Sequence, residues 1–136
     1  EKHWIIPKYL EQSFFLRIDN TLFSGRIDRI DKIDNGYEVI DYKTGATRKE
    51  NEVQRDLQLS IYALACRDVL KIPVTKFSLY FLEEGKKISS TRTEEDIEKT
   101  REKLQEMAKN MRNSDFEATP SYMCQFCDYR IVCYAV

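Results

Sequence analysis

Between residues 12 and 33 apolar side chains alternate loosely with polar ones, at Phe15, Leu16, Ile18, Leu22, Phe23, Ile27, Ile30 and Ile33. That period predicts strands, because successive side chains on a strand point to opposite faces. Asp19-Asn20 interrupts it with residue types that favour turns. Asn35-Gly36 stands between two such runs. It is the strongest short hairpin signal, since both central positions of a type I′ turn need positive φ. The next strand is expected over 37–43, before Thr44-Gly45.

From about residue 50 to 70 the period becomes helical, with Val53, Leu57, Ile61 and Leu64 recurring and Pro73 just past the end. Residues 76–82 read as a buried strand and 86–91 as its hairpin partner, turning at Glu84-Gly85. Thr93-Glu94-Glu95-Asp96 has the pattern of a capping box. The helix it opens is expected to carry Ile97, Leu104, Met107 and Met111 on one stripe, to about residue 113. Residues 114–136 form an irregular tail rich in cysteine and aromatics. The order β-β-β-α-β-β-α predicts an α/β or α+β fold, a sheet with helices packed on it.

The chain has 136 residues, a length that suits one domain with a single core. Hydrophobic residues at 42% against 33% charged place it with globular rather than disordered chains. No apolar run nears the roughly 20 residues that span a bilayer, so no membrane partner is expected. The N-terminus lacks the basic region and apolar core of a signal peptide, and a cytoplasmic location is expected. With no initiating Met, the sequence reads as part of something longer. The 22 basic and 23 acidic residues nearly balance, which disfavours a module that coats DNA through its field alone. An enzyme whose carboxylates are neutralised by metal ions remains compatible with that balance.

Asp28-Arg29-Ile30-Asp31 precedes the hairpin signal, and Val39-Ile40-Asp41-Tyr42-Lys43-Thr44-Gly45 follows it. On a strand, Asp41 and Lys43 share a face, while Ile40 and Tyr42 take the other. Pairing the two strands brings Asp28 towards that edge. Two carboxylates and an ammonium together suit phosphodiester hydrolysis. Hard carboxylate oxygens hold Mg²⁺, which activates water and stabilises phosphoryl charge, and a lysine offsets developing negative charge. The plain alternative is a solvated cross-strand ion pair, worth under about 1 kcal/mol. An isolated Asp-x-Lys favours that alternative.

The tripeptide is not isolated. The run Gly25-Arg26-Ile27-Asp28-Arg29-Ile30-Asp31, the run Val39 to Gly45 and Gln58-Leu59-Ser60-Ile61-Tyr62 together resemble the PD-(D/E)XK nuclease superfamily, in particular its RecB-type branch. The third is that branch's Gln-x-x-x-Tyr helix, and the resemblance spans roughly residues 12–136. It implies a restriction-endonuclease-like mixed sheet flanked by helices. It further implies that Asp28 and Asp41 ligate Mg²⁺ or Mn²⁺, with the main-chain carbonyl of Tyr42 as a further ligand. Lys43 would act on the attacking water or on transition-state charge. Gln58 and Tyr62 would face the site and contact the DNA or support the lysine. Positions i and i+4 do share a helix face, about 100° from Leu57/Ile61, which are expected in the core. RecB-type enzymes usually add an acidic residue or histidine from an upstream helix. Only His3 and Glu11 are local candidates, and neither sits in a convincing helical pattern, so this domain is expected to lack that helix and to act weakly.

Cys124, Cys127 and Cys133 form a tight cluster behind Pro120, a spacing that suggests metal ligation. Some repair helicase–nucleases and CRISPR-associated nucleases carry three C-terminal cysteines at similar spacing, which with a fourth far upstream hold a [4Fe–4S] cluster. The resemblance implies such a cluster, or Zn²⁺, in a structural role, with the fourth thiolate supplied before Glu1. Cys66 lies within the helical pattern and is expected to be a small buried hydrophobe. The expected function is that of a metal-dependent deoxyribonuclease, acting on single-stranded DNA or DNA ends, often beside a fused or associated helicase. A catalytically inactive DNA-binding or structural module of the same fold is the alternative. A free-standing zinc knuckle ranks last, because three close cysteines do not complete a tetrahedral site.

Overall fold

The computed structural model describes residues 6–134. Strand β1 (Tyr9–Ile18) turns at Asp19-Asn20 into β2 (Thr21–Ile33), which turns again into β3 (Gly36–Lys43). Helices α1 (Glu50–Gln54) and α2 (Leu57–Ala65), with a π-type turn over Cys66–Leu70, carry the chain to β4 (Val74–Phe81). Strand β5 (Lys86–Ser90) and helix α3 (Glu94–Asn113) follow, and a short 3₁₀ turn at Tyr122–Phe126 marks the tail. The five strands form one sheet in sequence order. Only β3 and β4 pair in parallel, because the chain crosses through the helices between them. The fold is thus the sheet with packed helices that the pattern predicts, and it is mixed, as the family resemblance implies.

The second hairpin departs from the expected turn. Ile33 pairs with Gly36, so Asp34 and Asn35 are the turn residues, and neither has positive φ. Gly36 instead opens β3 at φ +129°, and a Cβ there would stand 2.6 Å from the Pro73 carbonyl oxygen. That carbonyl accepts from Tyr37 N at 3.2 Å. Glycine is needed for the crossover's close approach as well as for the turn.

The single helix expected over 50–70 is broken. Asp56 is extended and caps α2, its carboxylate accepting from Leu59 N at 3.0 Å. The break resets the helical phase, so Val53 and Leu64 are fully buried but Leu57 and Ile61 only partly. Leu59, Tyr62, Ala63 and Ala65 take the core instead. On α3 the capping box of Thr93 and Asp96 forms as expected, whereas the buried stripe is Ile97, Thr100, Leu104 and Ala108. Met107 and Met111 are exposed. Their spacing also fits the border of the stripe, and the narrower Thr100 and Ala108 let α3 lie closer to the core.

The core joins Phe14, Leu16, Ile27, Ile30, Val39 and Leu79 of the sheet to α2 and α3. On the opposite face the strands satisfy their own polar groups. Arg29 Nε meets Asp31 at 2.7 Å. Glu38 accepts from Ser78 Oγ at 2.5 Å and from Lys87 Nζ at 3.1 Å. The Tyr42 and Tyr80 rings meet edge to face at 5.8 Å.

Candidate active site

Asp28 sits where two ladders fail. The β1–β2 pairing runs regularly except that it steps from Leu10–Arg29 to Gln12–Ile27, omitting Glu11 and Asp28. Glu11 has φ +51° there. Across this kink the inward side changes parity, so Ile27 and Ile30, three apart, are both fully buried. Such irregularities re-aim side chains beside functional sites. On the other edge the β2–β3 ladder stops at Arg29–Ile40, and one further step would place Asp28 opposite Asp41. The Asp28 carboxylate takes over the ladder's role, its Oδ2 accepting from Tyr42 N at 2.9 Å. β3 continues against β4 as far as Lys43–Phe81. The two strands thereby part around Asp28, Asp41 and Tyr42.

Asp41 and Lys43 project together towards α2. Lys43 Nζ lies 2.6 Å from Asp41 Oδ2 and donates to Gln58 Oε1 at 2.6 Å. Gln58 Nε2 donates to the Tyr62 hydroxyl at 2.7 Å. That hydroxyl lies 3.1 Å from Asp41 Oδ1 and 3.0 Å from the Arg26 carbonyl oxygen, two acceptors for its single proton. Four side chains therefore close a ring: Asp41, Lys43, Gln58, Tyr62 and back. The amide orientation of Gln58 follows from Lys43, which can only donate. Burial, and then the Asp41 charge, push the Tyr62 pKa far up, so this hydroxyl stays protonated. The Asp28 charge acts on Tyr62 in the same direction.

Asp41 is 2% exposed. Its Oδ2 is buried without an aligned hydrogen bond, even though Lys43 Nζ is close enough for an ion pair. A buried carboxylate oxygen with spare lone pairs costs stability unless something binds it. Asp28, Asp41 and the Tyr42 carbonyl are hard oxygen donors and fit a Mg²⁺-type ion that keeps several waters. Among the described residues no three His, Cys, Asp or Glu side chains converge on one point, so two carboxylates are what those residues offer. Glu11 is not a third. It lies on β1, is exposed, and pairs with Arg26 at 2.8 Å. His3 lies outside the described residues.

Among the described residues the cysteines are not gathered into a metal-type group. Cys124, Cys127 and Cys133 sit on successive turns of an exposed tail, and Cys124 Sγ accepts from Ser121 N at 3.2 Å. Three thiolates leave the fourth position of a tetrahedral site unfilled among the described residues. Cys66 is buried in the core, as expected, and burial pushes its pKa up to about 12. It is an inert thiol.

One residue of the site's support was missed in the sequence. Arg92, after β5, spreads its guanidinium over the break between α1 and α2. It donates to the Val53 and Asp56 carbonyls at 3.1 Å each and to Ser60 Oγ at 2.8 Å. It also donates to Ser90 Oγ and the Thr91 carbonyl. Both carbonyls also accept from the backbone, Val53 O from Asp56 N and Asp56 O from Ser60 N, each at 3.2 Å, so Arg92 adds further donors that tie the first turn of α2, which carries Gln58, to the end of β5. Nothing local to Arg92 signals this; a lone arginine before a capping box reads as surface.

The sequence profile of the PD-(D/E)XK nuclease superfamily matches residues 3–134. Among solved structures, the crystal structure of SSO0001 is similar, with TM-score 0.52 and 20% identity over 93% of this chain and 60% of that one. At this identity the likeness is one of fold, and the chain spans 60% of that structure's length. No curated protein sequence gives a significant match. The family profile covers nearly the whole chain, and the sheet carries the Asp28–Asp41–Lys43 constellation where β2 and β3 part: the chain belongs to the PD-(D/E)XK nuclease superfamily.

Proposed function

We propose that the chain is a Mg²⁺- or Mn²⁺-dependent deoxyribonuclease of the RecB type, acting at single-stranded DNA ends in the company of a helicase. The observation that carries the reading is the closed ring joining Asp41, Lys43, Gln58 and Tyr62, with Asp28 held beside it on Tyr42 N. Asp28, Asp41 and the Tyr42 carbonyl would hold the divalent ion. Once bound, the ion would supply Lewis acidity towards the phosphoryl oxygen and would lower the pKa of its water.

Lys43 has three N–H donors. One goes to Gln58 and one faces Asp41, which leaves the third for the attacking water or a phosphoryl oxygen. Its side chain is partly exposed, so that donor reaches the substrate side. Gln58 fixes the ammonium, and the Tyr62 hydroxyl fixes Gln58 and Asp41. Preorganised charge of this kind acts without rearrangement as the transition state forms.

Divalent-metal titration and DNA cleavage test this on the same samples. The full chain is expected to bind Mn²⁺ and cut single-stranded oligonucleotides, and Asp41→Ala is expected to lose both. A folded chain that binds Mn²⁺ yet leaves single-stranded and duplex DNA intact contradicts the proposal.

A further inference from the structure

Beside the ring, on the side of the β1–β2 hairpin, lies a groove of about 430 Å³. Its walls are Phe14 and Arg26 of the hairpin and Leu57, Gln58, Ile61 and Tyr62 of α2. The groove shares Gln58 and Tyr62 with the ring, so whatever lies in it is adjacent to Lys43. Its floor is built for purpose. The Phe14 ring lies flat across β2 at Gly25, where a Cβ would come within 2.5 Å of the ring, and meets Tyr62 edge to face at 6.0 Å. Leu57 and Ile61, partly buried, line the groove, Ile61 with its other side against the core. No carboxylate lines it, and its cation is Arg26.

We infer that this groove is the subsite for one unpaired nucleotide next to the scissile phosphate, its base against Leu57 and Ile61 and its phosphate on Arg26. The inference rests on the nuclease reading of the neighbouring ring. An apolar wall with a few placed polar groups is what holds a small planar ligand in position. The size lies in the lower part of the range of about 300–1,000 Å³ for ligand pockets, enough for one nucleotide. A paired base could enter only after leaving its stack, which makes a single strand the preferred substrate. Arg26 is available for exchange. Its partner Glu11 is an exposed side chain, and such pairs are weakly held and readily traded for phosphate.

Binding without cleavage isolates the subsite from the chemistry. The full chain is titrated in Ca²⁺ with a fluorescent single-stranded oligonucleotide and with an abasic oligomer of equal length and charge. The wild type is expected to bind the base-bearing strand about tenfold more tightly. Leu57→Ser is expected to erase that preference, and Arg26→Ala to weaken both ligands by a similar factor; circular dichroism confirms that each variant is folded. Equal binding of the two oligomers by the wild type, or an undiminished preference in folded Leu57→Ser, overturns the subsite. A parallel Mn²⁺ cleavage assay separates the two ideas. Cleavage with no base preference sinks the groove and spares the nuclease, whereas base-selective binding without cleavage leaves the groove and removes the nuclease.

Discussion

Lys43 and Gln58 divide the labour at the ring, and substitutions should separate them. Lys43→Ala removes the only ammonium within the ring and should lower cleavage by about 10²–10³-fold, the scale of losing a preorganised charge donor. Gln58→Ala leaves the ammonium but frees it to swing. The expected loss is about 10–100-fold, typical of groups that orient a functional side chain, and single-turnover rates check both. Gly25 offers a stability prediction at the same scale. A Cβ there meets the Phe14 ring at 2.5 Å, and that ring is buried against Tyr62 and has little room to move. Gly25→Ala should therefore cost about 1–3 kcal/mol by overpacking, read as a lower denaturation midpoint.

The break between α1 and α2 is the element on which the site depends, and Arg92 secures it with three donated hydrogen bonds, to the Val53 and Asp56 carbonyls and Ser60 Oγ. Burial pulls the Arg92 pKa down, a sign that the group is desolvated. Arg92→Lys keeps charge but loses the planar fork. It should cost about 1–3 kcal/mol by removing charge-assisted hydrogen bonds across the break, and lower cleavage through Gln58; urea unfolding with parallel assays checks both. The same element shows where sequence reading reached its limit. While the mixed sheet follows only from the family resemblance, the strands and the shared face of Asp41 and Lys43 follow from local period and turn chemistry, which the sequence displays. The break does not, because Asp56 as a cap and Arg92 as a clamp meet only in three dimensions. Leu57 and Ile61 read as core for the same reason, and line the groove partly buried. Asp28, Gln58 and Tyr62 were legible through their spacing as motifs, while the Glu11 kink that aims Asp28 leaves no sign in residue type.

For the whole molecule, acid stability depends on the sheet face away from the helices. Burial alone would raise the Glu38 pKa, but the hydrogen bonds from Ser78 and Lys87 outweigh it and bring the carboxyl below its ordinary value near 4.5. A folded-state pKa lowered in this way adds stability that is present above the unfolded value and lost as pH falls through the folded one. Stability measured by urea should therefore drop from pH 5 downward, and Glu38→Gln should flatten that slope while destabilising the protein at pH 7. The most direct test of the account is the Mn²⁺-dependent cleavage rate of a single-stranded oligonucleotide by Lys43→Ala, measured at saturating metal beside the wild type. A fall of about 10²–10³-fold is the predicted result. Cleavage by Lys43→Ala at the wild-type rate would contradict the assignment of this centre.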